Sequence, residues 1–230
     1  MIILKLVSIF LSAYLIGAVP FSFIIGKICG KDIRREGSGN IGATNVMRCC
    51  GKTAGMFAYI TDIGKGIIAV MCVYSAAGHL GLNANHGGIA AGLLAACFMP
   101  VLGHVYPVFL KFKGGKGVAV SAGILVYILP IPLLLSLVVF FIVFAITKII
   151  SISSVSASLT LPPVILLHHI FIKKQIGPPW LRYQSSAEAN VFYLLLALTT
   201  ALAVFLVFHH RENIKRLING NELSFRNKID

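Results

Sequence analysis

Acidic residues are what this sequence has least of. Its 230 residues contain seven Asp and Glu against twenty Lys and Arg, a formal net charge of +13, and charged residues of every kind make up only 12% of the chain. A soluble domain carries roughly a quarter, so a water-soluble globule is excluded. The seven carboxylates, Asp32, Glu36, Asp62, Glu188, Glu212, Glu222 and Asp230, are scattered along the chain. Hard cations need converging carboxylate oxygens, so a carboxylate-bound metal cluster is not expected, nor any cofactor. Cysteine is scarce too: Cys29, Cys49, Cys50, Cys72 and Cys97 are odd in number and lack a CxxC spacing. They read as reduced, structural thiols rather than a disulfide framework or a zinc site. There is one Trp and no separate basic soluble segment, which argues against nucleic acid as a partner. Repeats and low-complexity linkers are also missing. The one linker-like stretch, residues 172–189 with Gly177-Pro178-Pro179, reads as a local insertion in a single domain spanning residues 1–230.

What the chain has in abundance is apolar length. It is 57% hydrophobic with a mean hydropathy of +0.90, the composition of an integral membrane protein. Apolar windows fall at 3–26, 54–77, 86–102, 117–130, 131–147, 151–171 and 190–208, several of them near the ~20 residues that cross a hydrocarbon core. The expected fold is therefore all-α with about seven transmembrane helices. The fourth and fifth windows are short, and Pro130 with Pro132 marks either a turn between two spans or a kink within one, so six helices stay open. The first window is too long for a signal-peptide core and is kept as a helix. With seven spans, 15 of the 20 Lys and Arg fall in the odd-numbered loops and the tail. The positive-inside rule then puts the N-terminus outside and the C-terminus in the cytoplasm. Attraction to anionic lipid headgroups accounts for scattered cations, but not for the glycines among which they are set.

Three polar stretches on the expected cytoplasmic side carry the chemistry. The first, Gly37-Ser38-Gly39-Asn40-Ile41-Gly42-Ala43-Thr44-Asn45-Val46-Met47-Arg48, joins glycines that allow close backbone approach to donors suited to phosphate oxygens: Ser38, Asn40, Thr44, Asn45 and Arg48. The second, residues 103–117, ends in Gly114-Gly115-Lys116-Gly117 before an apolar run, so exposed N–H groups, a helix start and Lys116 can share an anion. It is not a nucleotide P-loop: GxxxxGK[ST] would need Gly where Leu110 stands and Ser or Thr where Gly117 stands. His104, in the same stretch, is either a structural hydrogen-bonding residue or a ligand or base. The third, residues 209–222, places His210 and Asn213 on one helical face. A basic helix end at a membrane surface would look similar to this last stretch. Asp62 and Lys65, three apart inside the second span, read either as a pair orienting helices or as support for the first loop from behind.

The set GSGNIGATNVMR at 37–48, GHVYPVFLKFKGGKGVA at 103–119 and HHRENIKRLINGNE at 209–222 closely resembles the bacterial acyl-phosphate:glycerol-3-phosphate acyltransferase family, often called PlsY. The likeness covers nearly the whole chain. It implies a multi-pass enzyme of the bacterial inner membrane with its active site facing the cytoplasm. The reaction implied is transfer of a fatty acyl group from acyl phosphate to the sn-1 hydroxyl of glycerol 3-phosphate, giving lysophosphatidate and inorganic phosphate in phospholipid synthesis. Carried over by position, it implicates Ser38, Arg48, Lys116, His210 and Asn213 in catalysis. Gly39, Asn40, Thr44, Asn45, the Gly114, Gly115 and Gly117 backbone, and a serine of Ser151-Ile152-Ser153-Ser154 are implicated in substrate binding, with Ser154 favoured over Ser151.

The physical chemistry agrees with that assignment. Both substrates carry phosphate, so two cation-and-glycine cradles are expected, with the bilayer supplying the acyl chain. Acyl phosphate is already activated, so Ser38 is better cast as a donor to a phosphate or a developing oxyanion than as a nucleophile. The base is either His210 or a phosphate oxygen of the acceptor. Two rivals stand beside this reading. A thioester-dependent acyltransferase would need an His-x4-Asp pair, and no histidine here has that partner, so acyl-carrier protein and CoA are not expected partners. A transporter or flippase for a phosphorylated metabolite fits the helices, but would place polar groups at mid-membrane rather than on one side.

Overall fold

The computed structural model describes residues 1–82, 87–172 and 188–225, and every regular element within them is helical. Nearly all of the 172–189 stretch, with Lys173, Lys174 and Arg182, lies outside the described residues, as do Arg226 and Lys228. Among the described residues six segments are long and apolar enough to cross a bilayer: Ile2–Ile28, Lys52–His79, Gly88–Leu110, Pro130–Thr147, Ile150–Phe171 and Phe192–His209. The fourth expected window forms a helix of only 11 residues, Val118–Ile128, about 16 Å long at 1.5 Å per residue. The chain folds as two compact units, Met1–Ile128 and Leu129–Asp230.

In the first unit the opening apolar run is two helices, α1 (Ile2–Ala18) and α2 (Phe21–Ile28). Pro20 separates them because it has no N–H to continue the ladder and disfavours helical backbone at the residue before it; Val19 is accordingly extended, with ψ 117°. A polar loop leads to the short α3 (Ala43–Cys50), then to α4 (Lys52–His79) and α5 (Gly87–Val105). A 3-10 turn at Val108–Leu110 and the glycine stretch precede α6 (Val118–Ile128). α4 is the hub, packed against α1, α2, α3, α5 and α6. Two of the helix contacts depend on glycine: a Cβ at Gly123 of α6 would overlap the Ile63 carbonyl of α4, and one at Gly17 of α1 would overlap the Pro100 backbone of α5. Such close approach is how helices associate where the solvent is as apolar as the side chains.

The second unit begins where Leu129 interrupts the helical run, so Pro130 and Pro132 mark a helix start and not a mid-helix kink. α7 (Pro130–Thr147) turns at Lys148, which takes the left-handed conformation with φ 58°, into α8 (Ile150–Ile172). α9 (Glu188–His209) follows, and after His210 the chain resumes as α10 (Arg211–Ile218), which packs against α8 and α9. The tail closes back on the α7–α8 turn, where Phe225 N–H donates to the Lys148 carbonyl at 3.0 Å. Outward faces of both units are apolar: Ile3, Leu4 and Val7 on α1 and Leu134, Val138 and Phe141 on α7 are exposed, the surface that hydrocarbon and not water would cover.

Candidate active site

The first polar stretch is a loop held from inside. Ile33 and Ile41 drop into an apolar cluster with Ile25, Val46 and Ala58, which fixes α3 against α2 and α4. Asn45, fully buried on α3, accepts a hydrogen bond from Ser38 N–H at 2.8 Å and donates to the carbonyls of Ile33 (2.7 Å) and Glu36 (3.0 Å). Both its amide hydrogens are thereby engaged by the loop, so Asn45 shapes the turn from which Ser38 projects. Gly37 (φ 61°) and Gly39 (φ 70°) lie in the left-handed region on either side of that serine, and a Cβ at Gly37 would overlap Asn45 Oδ1. Ser38 and Asn40 are half-buried on the loop, while Arg48 lies in the last turn of α3. Thr44 Oγ1 is hydrogen-bonded to the hydroxyl of Tyr59 on α4, a partner that no sequence signal indicated.

Beyond the spans, Asp32 pairs with Arg34 at 2.7 Å and Lys27 at 3.3 Å. The Arg34 hydrogen bond holds its carboxyl well below the ordinary range. The one carboxylate offsets one of the two positive charges at the loop's foot.

The second stretch turns back on the helix before it. Gly114 N–H donates to the Val105 carbonyl at 3.0 Å and Gly115 N–H to the His104 carbonyl at 3.1 Å. Those two N–H groups were expected to face an anion, yet they are used to fold the turn. Lys116 is half-buried, and α6 starts just after Gly117 (φ 88°). Asp62 and Lys65 do pair, at 3.1 Å and with side chains only 2% exposed.

The third stretch lies in the second unit. His210 Nδ1 is 2.7 Å from the Leu206 carbonyl; a carbonyl only accepts, so Nδ1 carries a proton. Asn213 Nδ2 donates to Glu222 Oε1 at 2.5 Å, Ser151 Oγ donates to the same oxygen at 2.7 Å, and Arg216 Nε donates to Oε2 at 2.8 Å. Burial raises the Glu222 carboxyl, but these three hydrogen bonds and the Arg216 charge outweigh it and hold the group below its usual value. Ser151 thus joins Asn213 through Glu222, whereas Ser154 Oγ donates at 2.8 Å to the Ile150 carbonyl of its own helix. Glu222, absent from the expected site, closes the third motif, where Glu212 is a second carboxylate, so no signal in the sequence singled it out.

A family model described as glycerol-3-phosphate acyltransferase matches residues 7–220. The chain belongs to that family. A glycerol-3-phosphate acyltransferase of Syntrophomonas wolfei is 36% identical over 217 residues, covering 94% of each chain. Among solved structures, PlsY (YgiH), an integral membrane glycerol 3-phosphate acyltransferase, is similar in its glycerol 3-phosphate form, with a TM-score of 0.73 and 31% identity over 96% of this chain and 95% of that one. Its lysophosphatidic acid form has a TM-score of 0.71 at 30% identity, with the same coverage. The all-helical membrane fold and the family suggested by the three motifs are both borne out.

Proposed function

We propose that this glycerol-3-phosphate acyltransferase moves a fatty acyl group from acyl phosphate to the sn-1 hydroxyl of glycerol 3-phosphate, releasing inorganic phosphate, at the cytoplasmic face of the bacterial inner membrane. The whole chain acts as one acyltransferase. What carries the reading is the pair of forms of the similar PlsY: glycerol 3-phosphate and lysophosphatidic acid differ by one acyl ester. They are the acceptor and product of a single transfer. Acyl phosphate as donor is supported by two separate phosphate-suited stretches, around Ser38 and Lys116, and by the lack of an His-x4-Asp pair.

In the transfer, the sn-1 oxygen attacks the acyl carbonyl carbon, the bond from that carbon to the phosphate oxygen breaks, and phosphate leaves with its electron pair. Ser38, Arg48 and Lys116 stabilise the charge on the phosphates and on the tetrahedral oxygen. A phosphate oxygen of the acceptor accepts the hydroxyl proton, and His210 with Asn213 orients the acceptor. Detergent-purified protein given palmitoyl phosphate and glycerol 3-phosphate is expected to release phosphate in an acceptor-dependent way, and Lys116→Ala to abolish release. A folded preparation that releases none would favour a transporter. His210→Gln is expected to raise KM with a modest loss of turnover; a loss of several powers of ten in kcat at unchanged KM would make His210 the base.

A further inference from the structure

Behind the second glycine turn lies a buried polar group that the proposed reaction does not use. Lys65 Nζ on α4 has three neighbours: the Val19 carbonyl, left open by the Pro20 break, at 2.9 Å, Asp62 Oδ1 at 3.1 Å, and His104 Nδ1 on α5 at 2.8 Å. Ser22 Oγ on α2 completes the group by donating to Asp62 Oδ2 at 2.8 Å. His104 is only 8% exposed and Lys65 2%.

Charge and geometry fix the state of the imidazole. Two cations 2.8 Å apart at so buried a site would repel strongly, and Asp62 lies nearer to Lys65, at 3.1 Å, than to His104, at 3.7 Å. Lys65 is therefore the ammonium. An ammonium can only donate, and Lys65 donates to the Val19 carbonyl and the Nδ1 lone pair with Asp62 as its counter-ion, which leaves His104 neutral with its proton on Nε2.

That Nε2–H lies at the glycine turn. A Cβ at Gly115 would overlap His104 Nε2 and come within 2.6 Å of the Ile41 carbonyl, so the imidazole edge, the second turn and the backbone of the first loop converge there. His104, Lys65, Gly114, Gly115, Ser22 and Ile41 border a cavity of about 10 Å³, room for about one water-sized atom. We infer that His104 is a further phosphate-binding residue of this site, donating Nε2–H to a substrate phosphate oxygen beside the Gly114–Gly117 turn, and that Lys65 and Asp62 are positioning residues that fix its tautomer. The inference rests on the reading of that turn with Lys116 as a phosphate cradle.

Two near-isosteres separate binding from packing. Asn at 104 keeps an acceptor near the Nδ1 position for Lys65 but lacks the distal donor; Gln keeps a donor near Nε2 but lacks that acceptor. His104→Asn is expected to raise the KM for glycerol 3-phosphate or for palmitoyl phosphate by about tenfold to a hundredfold, with His104→Gln close to wild type. Measuring each KM separately identifies which phosphate is held. The opposite order, Asn tolerated and Gln impaired, would overturn the inference and make His104 a partner of Lys65 only. Lys116→Ala, which is expected to abolish turnover, keeps the two levels apart by equilibrium binding: if it leaves the Kd values for glycerol 3-phosphate and palmitoyl phosphate unchanged, the cradle reading falls and this inference with it, whereas if it raises one Kd and His104→Asn raises neither Kd nor KM, this inference alone falls. Histidine 15N spectra of the wild-type protein in detergent supply a readout independent of activity. The resonance missing from His104→Gln is expected to report protonation at Nε2, to shift on adding glycerol 3-phosphate or palmitoyl phosphate, and to lose that tautomer in Lys65→Met. Protonation at Nδ1 in the wild type would overturn the inference.

Discussion

At the scale of single residues, the third motif depends on a carboxylate. Glu222 gathers Asn213, Ser151 and Arg216 onto its two oxygens, and its side chain is 3% exposed. Glu222→Gln keeps the shape but removes the charge, so Asn213 loses a charge-assisted partner and Arg216 its counter-ion. Acyltransfer is expected to fall roughly tenfold or more, a loss of the size that goes with such a bond. Melting against pH provides a second check. Because the folded-state carboxyl is held below its ordinary value of 4.5, its stabilising contribution is complete above that pH and is lost as the pH falls through the folded-state value. Wild type is therefore expected to melt above Glu222→Gln at neutral pH, with the gap closing on acidification below about 4.5; a gap independent of pH would show that the charge contributes nothing. Site residues were legible in proportion to how far a side chain acts locally. Ser38, Lys116 and His210 stand out by their glycine or span-end settings, whereas the acceptors engaged by Asn45 and by the Gly114 and Gly115 N–H groups depend on which carbonyls the folded turn brings within reach.

At the scale of elements, apolar windows gave the helices, and prolines decided where two of them stop. Pro20 divides the first run and Pro130 opens α7, outcomes of backbone chemistry that a hydropathy window averages away. Hydropathy is equally blind to which faces touch. The α4–α6 contact is set by Gly123, where a Cβ would overlap the Ile63 carbonyl, and by Gly66, where one would overlap the Val120 carbonyl. Backbone atoms cannot yield as a flexible side chain does, so Gly123→Val must separate the helices. Overpacking of this kind costs about 1–3 kcal/mol, and the protein is expected to melt roughly 2–12 °C lower. Gly64, two residues before Gly66 on α4 and with nothing within 4 Å of a Cβ, supplies the control, and Gly64→Ala is expected to melt no lower than wild type. Equal losses at the two positions would mean that close backbone approach is not what sets the cost at Gly123, since Gly64→Ala gains helix propensity.

At the scale of the whole molecule, the sidedness of the chemistry turns on α6, an apolar helix of 11 residues. Four helices, α6 to α9, separate Lys116 from His210. An even number of crossings returns the chain to the same face, so the second and third motifs share one side only if α6 crosses as well. Its 11 residues span about half of a ~30 Å hydrocarbon core. The distribution of cations favours crossing, because with α6 counted 15 of 20 Lys and Arg fall on one side, where the positive-inside bias retains them. Exposed Pro130, just beyond α6, decides the matter. In a variant with the five native cysteines replaced by serine, Pro130→Cys is expected to react with a membrane-impermeant maleimide added to intact cells. Cysteine in place of exposed Gly220, beyond α10, is expected to react only after permeabilisation. If Pro130→Cys also required permeabilisation, α6 would not cross, and His210 and Lys116 would face opposite compartments. One acyl transfer could not then use both.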